Sequence, residues 1–414
     1  MADLMEVRIA SLGNDVGGVS PGKERKTLFV RGALPGELVR CRLEKEAGSF
    51  VRADLLEVLE SSPHRIEPFC RYFGRCGGCS LQHLEYGRQL HWKRQWVLRA
   101  LKRTGIAFSE KTVSEPLPSP ELRGYRNRVS FDMTTEGPGL HMQSGDPLPV
   151  DGCPILNRRG SQVFSGLSGK PLPGCGRVSV RGSDRTGQAM IEFSSMPASG
   201  LPDTGGGVAL FWKEDGKWLG HSPDSAIHEE LGGLTYRIGP GGFFQVNTGC
   251  AELLLEKVLR LTEGAGDILD LYGGCGTFAI SAASLGARVT SVELDPESSA
   301  DGRRSADVNG VKGVEFITCK AGRYLLDTVR SGRRWDTVIV DPPRAGLGVR
   351  TARLLRRVNT PRIVYVSCNP FSLARDLGVI CGDHWLFAGL HPVDMFPQTD
   401  HVETVTELRR AEQE

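Results

Sequence analysis

Hydrophobic and polar residues follow three different patterns along the 414-residue chain. As far as residue 60, short runs alternate apolar and polar positions between glycines and prolines, which is typical of strands joined by tight turns. Further strand-like runs occur at 189–193 and 208–212, again among many glycines and prolines. After residue 239, apolar strand-like runs alternate with helical patterns. The chain therefore predicts a small β-barrel of about five strands, a mostly β middle region and an α/β carboxyl-terminal region.

Five apolar runs in the carboxyl-terminal region predict the strands of a parallel-rich sheet. They lie at 267–272, 288–293, 314–317, 337–341 and 362–367. Alternation of such strands with helices is typical of a doubly wound, Rossmann-like α/β fold. Ligands bind to these folds beyond the carboxyl ends of the strands. The residues that close each run are therefore candidate site residues.

A long amphipathic helix is predicted at 86–104, with Leu90, Val97 and Leu101 on one face. Its polar face could meet phosphates, and a solvated basic face is an equally good interpretation. That face carries six basic residues and no acidic one: Arg88, Lys93, Arg94, Arg99, Lys102 and Arg103.

Composition narrows the class of protein. The 51 basic and 49 acidic residues nearly cancel, and 39% of the residues are hydrophobic, which excludes disordered and fibrous classes. The amino terminus has no apolar segment typical of a secretory signal, and 18 apolar residues never occur together, so we expect a cytoplasmic protein. Eleven cysteines in such a chain indicate free thiols, metal ligands or a nucleophile rather than disulfides.

A glycine-rich turn follows the first strand of the carboxyl-terminal region. Gly274, Gly276 and Ala279 fit the G-x-G-x-x-G/A pattern, in which glycine lets a cofactor approach the backbone closely. Glu293 closes the next strand, where an acid can accept hydrogen bonds from ribose hydroxyls. NAD and S-adenosylmethionine both contain a ribose, so both fit this site. The competing interpretation is a glycine loop that only turns tightly.

Asp341 and Cys368 follow the fourth and fifth predicted strands, which places a carboxylate and a thiol on neighbouring strand ends. Most buried cysteines are packing residues, but a thiol at a strand end beside a cofactor crevice has the setting of an activated thiolate. Glu403 stands at the start of the last predicted strand. By itself it would be interpreted as a surface carboxylate.

Five motifs resemble, in order, those of the RNA 5-methyluridine methyltransferase family. They lie at 244–247, 270–278, 341–346, 367–370 and 394–403. The resemblance implies an S-adenosylmethionine-dependent enzyme with Cys368 as nucleophile and Glu403 as base. It also implies the cofactor contacts Gln245, Tyr272, Thr277, Glu293 and Asp341.

Two positions depart from the family pattern. Gly273 stands where the family usually has cysteine, and Thr277 stands where asparagine is common. A cofactor contact from Thr277 is therefore a weaker expectation than one from Glu293.

The implied chemistry explains why a thiol and a carboxylate are both needed. Carbon 5 of uracil is a poor nucleophile until a thiolate adds to carbon 6 and converts the ring to an enolate. After methylation, a base must remove the proton from carbon 5 so that the thiolate can leave. Cys368 and Glu403 have the side chains for these two steps.

Cys70, Cys76 and Cys79 form a compact group, and Cys153 follows some seventy residues later. Four cysteines permit either zinc or an iron–sulfur cluster. The spacing resembles the [4Fe–4S] site of members of the family, which favours the cluster over zinc. We expect this cluster to be structural and to shape an RNA-binding face in a mostly β central domain.

Other segments indicate RNA as the partner. The first 60 residues resemble the TRAM domain, a small RNA-binding barrel with an OB-like fold, through segments 12–19 and 29–37. A family segment at 122–131 contributes Arg123, Arg126 and Arg128, which are candidate phosphate contacts or ordinary surface arginines. A target uracil must leave its stack, and Phe243 or Phe244 could stack against it.

The expected organisation is a TRAM-like barrel at 1–60, a central iron–sulfur domain at 61–235 and a methyltransferase domain at 236–414. The presence of both the barrel and the four cysteines resembles the family members that modify 23S ribosomal RNA. We therefore expect ribosomal RNA, rather than tRNA, to be the substrate. A monomer is expected. Two other hypotheses are an amino-group methyltransferase, suggested by Asp-Pro-Pro at a strand end, and a non-catalytic RNA-binding assembly factor.

Overall fold

The amino-terminal strands form one sheet of six, where the pattern predicts about five. This computed structural model describes residues 4–14, 17–21, 26–47, 50–142, 145–204, 207–221, 225–382 and 384–411, so residues 15 and 16 of the TRAM-like segment lie outside the described part. The strand order in the sheet is β1-β5-β6-β4-β3-β2. The strands are β1 (Leu4–Arg8), β2 (Ser11–Gly13), β3 (Gly17–Pro21), β4 (Thr27–Arg31), β5 (Leu38–Ala47) and β6 (Phe50–Glu60).

The middle of the chain begins with helix α1 (Tyr86–Lys102) and a short 3-10 helix at Glu110–Thr112. A seven-stranded sheet of order β13-β12-β11-β10-β7-β8-β9 follows, with helix α2 packed on β10 and a separate hairpin, β14-β15. Alternate apolar residues of this sheet pack on α2, where the rings of Phe131 and Phe164 stack at 4.2 Å. The elements are β7 (Arg128–Thr134), β8 (Gly137–His141), β9 (Pro147–Pro149), α2 (Arg158–Ser165), β10 (Arg177–Gly182), β11 (Ala189–Phe193), β12 (Val208–Glu214), β13 (Lys217–His221), β14 (Ile227–Leu231) and β15 (Leu234–Ile238).

The carboxyl-terminal region has the predicted α/β fold. Its sheet has the order β18-β17-β16-β19-β20-β22-β21, in which the first five strands are parallel and β22 runs antiparallel to both of its neighbours. The elements are α3 (Thr248–Leu261), β16 (Asp267–Leu271), α4 (Thr277–Ser284), β17 (Arg288–Glu293), α5 (Pro296–Val308), β18 (Val314–Thr318), α6 (Ala321–Ser331), β19 (Thr337–Val340), α7 (Gly348–Leu355), β20 (Arg362–Ser367), α8 (Pro370–Ile380), β21 (Trp385–Val393) and β22 (Glu403–Arg410).

Helices cover both faces of this sheet, which is why its central strands are continuous apolar runs. Residues of α3, α4 and α5 pack on one face, and residues of α1, α6, α7 and α8 pack on the other. Polar side chains cap several of these helices: Asn247 accepts from the backbone of α3, Asp295 from α5 and Asn369 from α8. Among the described residues, none of the helices combines the length and apolarity that crossing a membrane requires.

Helix α1 packs against α8 and β21. We interpreted its six basic residues as one surface that faces phosphates or solvent, and this interpretation is wrong. Lys93 is completely buried against Asp394. The Arg94 side chain donates to backbone carbonyls, including that of Val113 at 2.9 Å, and Arg99 donates to the carbonyl of Leu12 at 3.3 Å. These cations hold protein segments together because carbonyls and a carboxylate lie within their reach.

Candidate active site

Strand pairing brings Cys368 and Glu403 together at the carboxyl edge of the sheet. Strands β20 and β22 are antiparallel, and their register pairs Ser367 with Thr404. The Thr404 hydroxyl also donates a hydrogen bond to the Ser367 carbonyl, at 3.0 Å. The next position of the same register sets Cys368 opposite Glu403. A thiol and a carboxylate from distant segments thus become neighbours.

The surroundings of these two groups favour their uncharged forms. Burial, followed by the charge of Asp341, raises the pKa of Glu403 well above its ordinary value. Burial also raises the pKa of Asp341, to about 7. For the Cys368 thiol, burial and then the two carboxylates raise the pKa to about 12, and Arg344 opposes the shift in part. Both carboxyl groups therefore bind protons more strongly than exposed ones do.

The glycine-rich turn has the strand, turn and helix that its sequence predicts. Tyr272, Gly274 and Gly276 have positive φ angles of 63°, 55° and 83°, so the backbone reverses sharply between β16 and α4. A Cβ at Gly274 would meet no atom within 4 Å, so the space above this residue is open. Glu293 supports the turn, because its carboxylate accepts from the Gly274 N–H at 3.0 Å. A flat ligand can therefore approach this backbone.

The candidate cofactor residues lie around the same edge. Tyr272, Glu293 and Asp341 end or follow β16, β17 and β19, which are adjacent in the sheet. Thr277 is the first residue of α4, and Gln245 lies just before α3, where its carbonyl accepts from the Asn127 side chain at 2.9 Å. The carboxyl ends of three adjacent strands and the start of α4 thus lie at one edge of the sheet.

Asp270, the first residue of the motif at 270–278, and Ser291 lie beneath the glycine turn, and the sequence analysis assigns a role to neither of them. They are paired across β16 and β17, and both are buried, with side-chain oxygens that have no hydrogen-bond partner among the described residues. A Cβ at Gly273 would come within 2.1 Å of the Ser291 hydroxyl and 3.0 Å of the Asp270 carboxylate. The departure of Gly273 from the family pattern thus has a steric reason, because Ser291 fills the space that a larger side chain would need.

A cavity of about 680 Å³ opens beside Cys368. The four other cysteines that the sequence singled out also line it, opposite the nucleophile. Residues on its wall or rim include Cys70, Cys76, Cys79, Cys153, Arg126, Arg128, Phe243, Arg344, Cys368, Phe396 and His401. The predicted catalytic and cysteine sites therefore share one cavity.

Cys70, Cys76, Cys79 and Cys153 all line this cavity. Among the described residues, no three His, Cys, Asp or Glu side chains are close enough to hold one metal ion as they stand. Thiolates that bind a zinc ion lie about 2.3 Å from it. Four thiolates are a ligand set that both zinc and an iron–sulfur cluster take, so the geometry of these thiols does not choose between the two.

The two neighbouring phenylalanines have opposite surroundings. Phe243 is 62% exposed and lies on the cavity rim, whereas Phe244 is 2% exposed and packs in the core near Tyr236. Only Phe243 can meet a base in the cavity. The expectation that Phe244 could stack on the target uracil is wrong.

The three arginines of segment 122–131 have different environments. Arg123 lies over the ring of Phe69, at 4.1 Å from its centroid. Arg126 and Arg128 line the cavity, and Arg128 pairs with buried Glu192 at 2.6 Å. Arg126 and Arg128 are thus the two members of the set that face the catalytic cavity.

The loop that leads to Glu403 is held by polar groups of α1, whose role the sequence does not reveal. Lys93 pairs with Asp394 and donates to the Phe396 carbonyl at 2.9 Å. The Gln89 and Gln398 side chains bond at 3.0 Å, and Gln398 has a positive φ of 68°. The loop conformation, and with it the position of Glu403, depends on these contacts.

Comparison with known proteins matches a family model to the carboxyl-terminal region and relatives to nearly the whole chain. A family model described as tRNA (Uracil-5-)-methyltransferase matches residues 230–411. An uncharacterized RNA methyltransferase of Caldanaerobacter subterraneus subsp. tengcongensis is 33% identical over 98% of both chains, and one of Gloeobacter violaceus is 30% identical over 98% of this chain and 96% of its own. The crystal structure of Pyrococcus abyssi tRNA (uracil-54, C5)-methyltransferase, in complex with S-adenosyl-L-homocysteine, is 30% identical, with a TM-score of 0.79 over 98% of this chain and 99% of that one.

Proposed function

Because this chain belongs to the family of S-adenosylmethionine-dependent RNA (uracil-5-)-methyltransferases, we propose that it methylates carbon 5 of a uridine through a covalent bond from Cys368. The observation that carries the proposal is the register of β20 and β22, which sets Cys368 opposite buried Glu403 beside the cofactor crevice. A thiol for carbon 6, which lines the cavity, and a buried base for carbon 5 are thereby held next to each other.

The first half of the reaction belongs to Cys368. Its thiol loses a proton to solvent in the open cavity, and the sulfur bonds to carbon 6 of the uracil while the ring double bond shifts its electrons to form an enolate. Bound S-adenosylmethionine would supply an electrophilic methyl group. Carbon 5 takes it up with the electron pair of the enolate, and S-adenosylhomocysteine is left. This step requires that carbon 6 of the ring face the thiol and that carbon 5 face the bound cofactor.

The second half belongs to Glu403. Its carboxylate takes the proton from carbon 5, the ring double bond forms again, and the bond between the Cys368 sulfur and carbon 6 breaks. Burial suits this role, because a carboxylate with a raised pKa is a stronger base than an exposed one. One methyl group has then entered the ring and one proton has left it.

The residues around the crevice fit the cofactor. The open space above Gly274 admits a ligand close to the backbone, and Glu293 can accept from ribose hydroxyls with the lone pairs that its backbone contacts leave. We assign Gln245, Tyr272 and Asp341 as further contacts, and Thr277 through its position at the start of α4. These assignments follow the family motifs and the positions of the strand ends.

Ribosomal RNA of the large subunit is the RNA that the motif resemblance favours, because barrel and cysteines occur together in this chain. Transfer RNA is the second candidate. It is favoured by the similarity of 98% of this chain, barrel and cysteine region included, to the Pyrococcus abyssi tRNA enzyme. Maps of modified nucleosides in both RNAs, with and without the gene, decide between the two.

A [4Fe–4S] cluster on Cys70, Cys76, Cys79 and Cys153 is also part of the proposal. All four cysteines line the cavity that Cys368 also lines, and four thiolates are the ligand set of such a cluster. Such a cluster would be structural and would shape the wall that the RNA meets. Anaerobically purified protein should show broad visible absorbance, and a colourless protein that contains no iron would contradict the assignment.

The decisive experiment measures the release of tritium from carbon 5 of labelled uridine in RNA. We expect release that depends on S-adenosylmethionine and is lost in the Cys368→Ala variant. An amino-group methyltransferase would transfer the methyl group without releasing tritium. An RNA-binding assembly factor would do neither.

A further inference from the structure

Arginine is concentrated in one segment of the methyltransferase region. Between Pro342 and Arg375 the sequence has no Asp or Glu, although the whole chain has a formal net charge of only +2. This segment runs from the turn after β19 through α7 and β20 into α8. Its arginines are Arg344, Arg350, Arg353, Arg356, Arg357, Arg362 and Arg375.

Three of these arginines form a row on the outside of α7. Arg350 and Arg353 are three residues apart, and Arg357 follows in the turn after the helix, so the helical period places all three on one side. Ala352 and Leu355, on the opposite side, are buried in the core. All three arginine side chains are exposed, and within the described part of the chain none makes a hydrogen bond or an ion pair. We call them the α7 arginine row.

The helix that carries the row begins a few residues after Arg344, which lines the catalytic cavity. The Arg344 carbonyl accepts from the Asn369 side chain at 3.2 Å and from the Ser372 hydroxyl at 3.0 Å. The amide of Leu347 donates to buried Asp376 at 2.6 Å. The start of α7 is therefore fixed to the turn that carries Cys368. From there the helix runs down the flank of the sheet, at about 1.5 Å per residue.

An exposed aromatic ring lies at the same edge. Phe371 is in the first turn of α8, three residues after Cys368, and it is one of the few large apolar side chains that the structure leaves exposed. Bases stack on aromatic rings whereas arginines bind phosphates, and single-stranded RNA is bound by the two together.

We propose that the α7 arginine row binds the phosphate backbone of the RNA that flanks the target uridine. The inference rests on the proposed function, because it takes RNA as the substrate. Exposed guanidinium groups without acidic partners can bind phosphate in two parallel hydrogen bonds and lose no internal ion pair on binding. The position favours RNA over other polyanions, since the helix that carries the row begins a few residues after Arg344, which lines the same cavity as Cys368.

The test compares three variants of the full-length protein. R350Q/R353Q/R357Q removes the charges of the row, R350K/R353K/R357K keeps them, and R260Q/R288Q/R304Q removes three exposed charges from other surfaces. The probes are bulk ribosomal RNA and bulk tRNA from cells that lack the gene, and a uridine-containing oligonucleotide of about eight nucleotides.

We expect the glutamine variant of the row to raise KM at least about tenfold for the long RNA that is the substrate, with kcat and S-adenosylmethionine binding unchanged. KM for the oligonucleotide should change less than about twofold, because the short strand does not reach along α7. The slope of log Kd against log salt for the long RNA should fall by about 2, the value for three phosphate contacts of a single strand. The lysine variant keeps the charges and should therefore keep the salt slope, and the control triple variant should bind as the wild type does.

Unchanged KM and salt slope in the glutamine variant would overturn the proposal, as would an equal loss in the control variant. Loss of binding to phosphatidylglycerol vesicles with RNA binding intact would assign the row to an anionic lipid surface instead and would also overturn it. The salt slope measures RNA binding without turnover. A protein that releases no tritium but shows the expected slope would therefore contradict the proposed function and leave the arginine row supported.

Discussion

Lys93 in helix α1 and Asp394 in the loop before β22 form an ion pair in which both side chains are 0% exposed, although 301 residues separate them. The same lysine donates to the Phe396 carbonyl, and Cys250 donates to the Asp394 carbonyl at 3.1 Å. Three segments therefore meet at this pair. It anchors the loop that ends at Glu403.

Removal of one member of this pair should be costly, because the other charge stays buried without compensation. We expect Lys93→Met to lower the free energy of unfolding by about 3–5 kcal/mol in urea denaturation. The double variant K93M/D394N should lose less than the single variant, since it leaves no buried charge. A loss below about 1 kcal/mol in the single variant would contradict this role.

Substitution of each catalytic residue should block a different half of the reaction. Glu403→Gln can form the bond to carbon 6 but cannot remove the proton from carbon 5, so we expect a covalent protein–RNA adduct to accumulate on denaturing gels. Cys368→Ala should form none, and Cys319→Ala, which changes a cysteine outside the cavity, should behave as the wild type does. An adduct that persists in Cys368→Ala would refute the mechanism.

The reactivity of Cys368 should depend on pH through its carboxylate neighbours. The wild-type thiol has a raised pKa of about 12, so its thiolate fraction is small at neutral pH and alkylation should accelerate as pH rises from 7 to 10. Where the Glu403 carboxyl is ionised, Glu403→Gln removes its negative charge, which should lower the thiol pKa and speed alkylation most at the alkaline end of this range. Mass spectrometry of the Cys368 peptide measures the rate.

The control for the pH experiment is Glu407→Gln, a buried carboxylate on the same strand that pairs with Arg409 at 2.9 Å. It lies four positions further along β22, so it should leave the Cys368 rate unchanged. An equal acceleration in this variant, or none in Glu403→Gln, would show that Glu403 does not set the thiol pKa.

Gly273 and Ser291 should be coupled in cofactor binding. A Cβ at Gly273 would approach the Ser291 hydroxyl to 2.1 Å, so Gly273→Ala should shift the glycine turn and weaken S-adenosylhomocysteine binding about tenfold. G273A/S291A removes the clash and should regain most of the affinity, whereas Ser291→Ala alone should bind normally. Isothermal titration calorimetry measures the S-adenosylhomocysteine affinity of all three variants. Equal affinities of G273A and G273A/S291A would exclude the coupling.

Phe243 and Phe244 provide a matched pair of substitutions. Phe243→Ala removes an exposed ring at the cavity rim, so it should raise KM for RNA severalfold with little change in stability. Phe244→Ala empties a core site and should cost about 3–5 kcal/mol of unfolding free energy. If Phe243→Ala lowered the unfolding free energy and Phe244→Ala raised KM for RNA instead, the loop would have a different conformation in solution.

The sequence by itself determined the parallel strands, the glycine turn and the placement of Asp341 and Cys368 on neighbouring strand ends. These features follow from local periodicity and from turn residues that short segments encode. The parallel order of β16 to β20 then places their carboxyl ends along one edge. That edge is where the candidate site lies.

Only the tertiary structure decided which side chains face each other across that edge. The antiparallel insertion of β22 sets Glu403 opposite Cys368, and Ser291 fills the space beside Gly273. From the sequence, Lys93 is interpreted as one of six basic residues on the surface of a helix. In the structure it is buried, because Asp394 lies within its reach and pairs with it. The physical reason is that burial and pairing of distant segments depend on how the elements pack, whereas a hydrophobic pattern records only which face of one element avoids water.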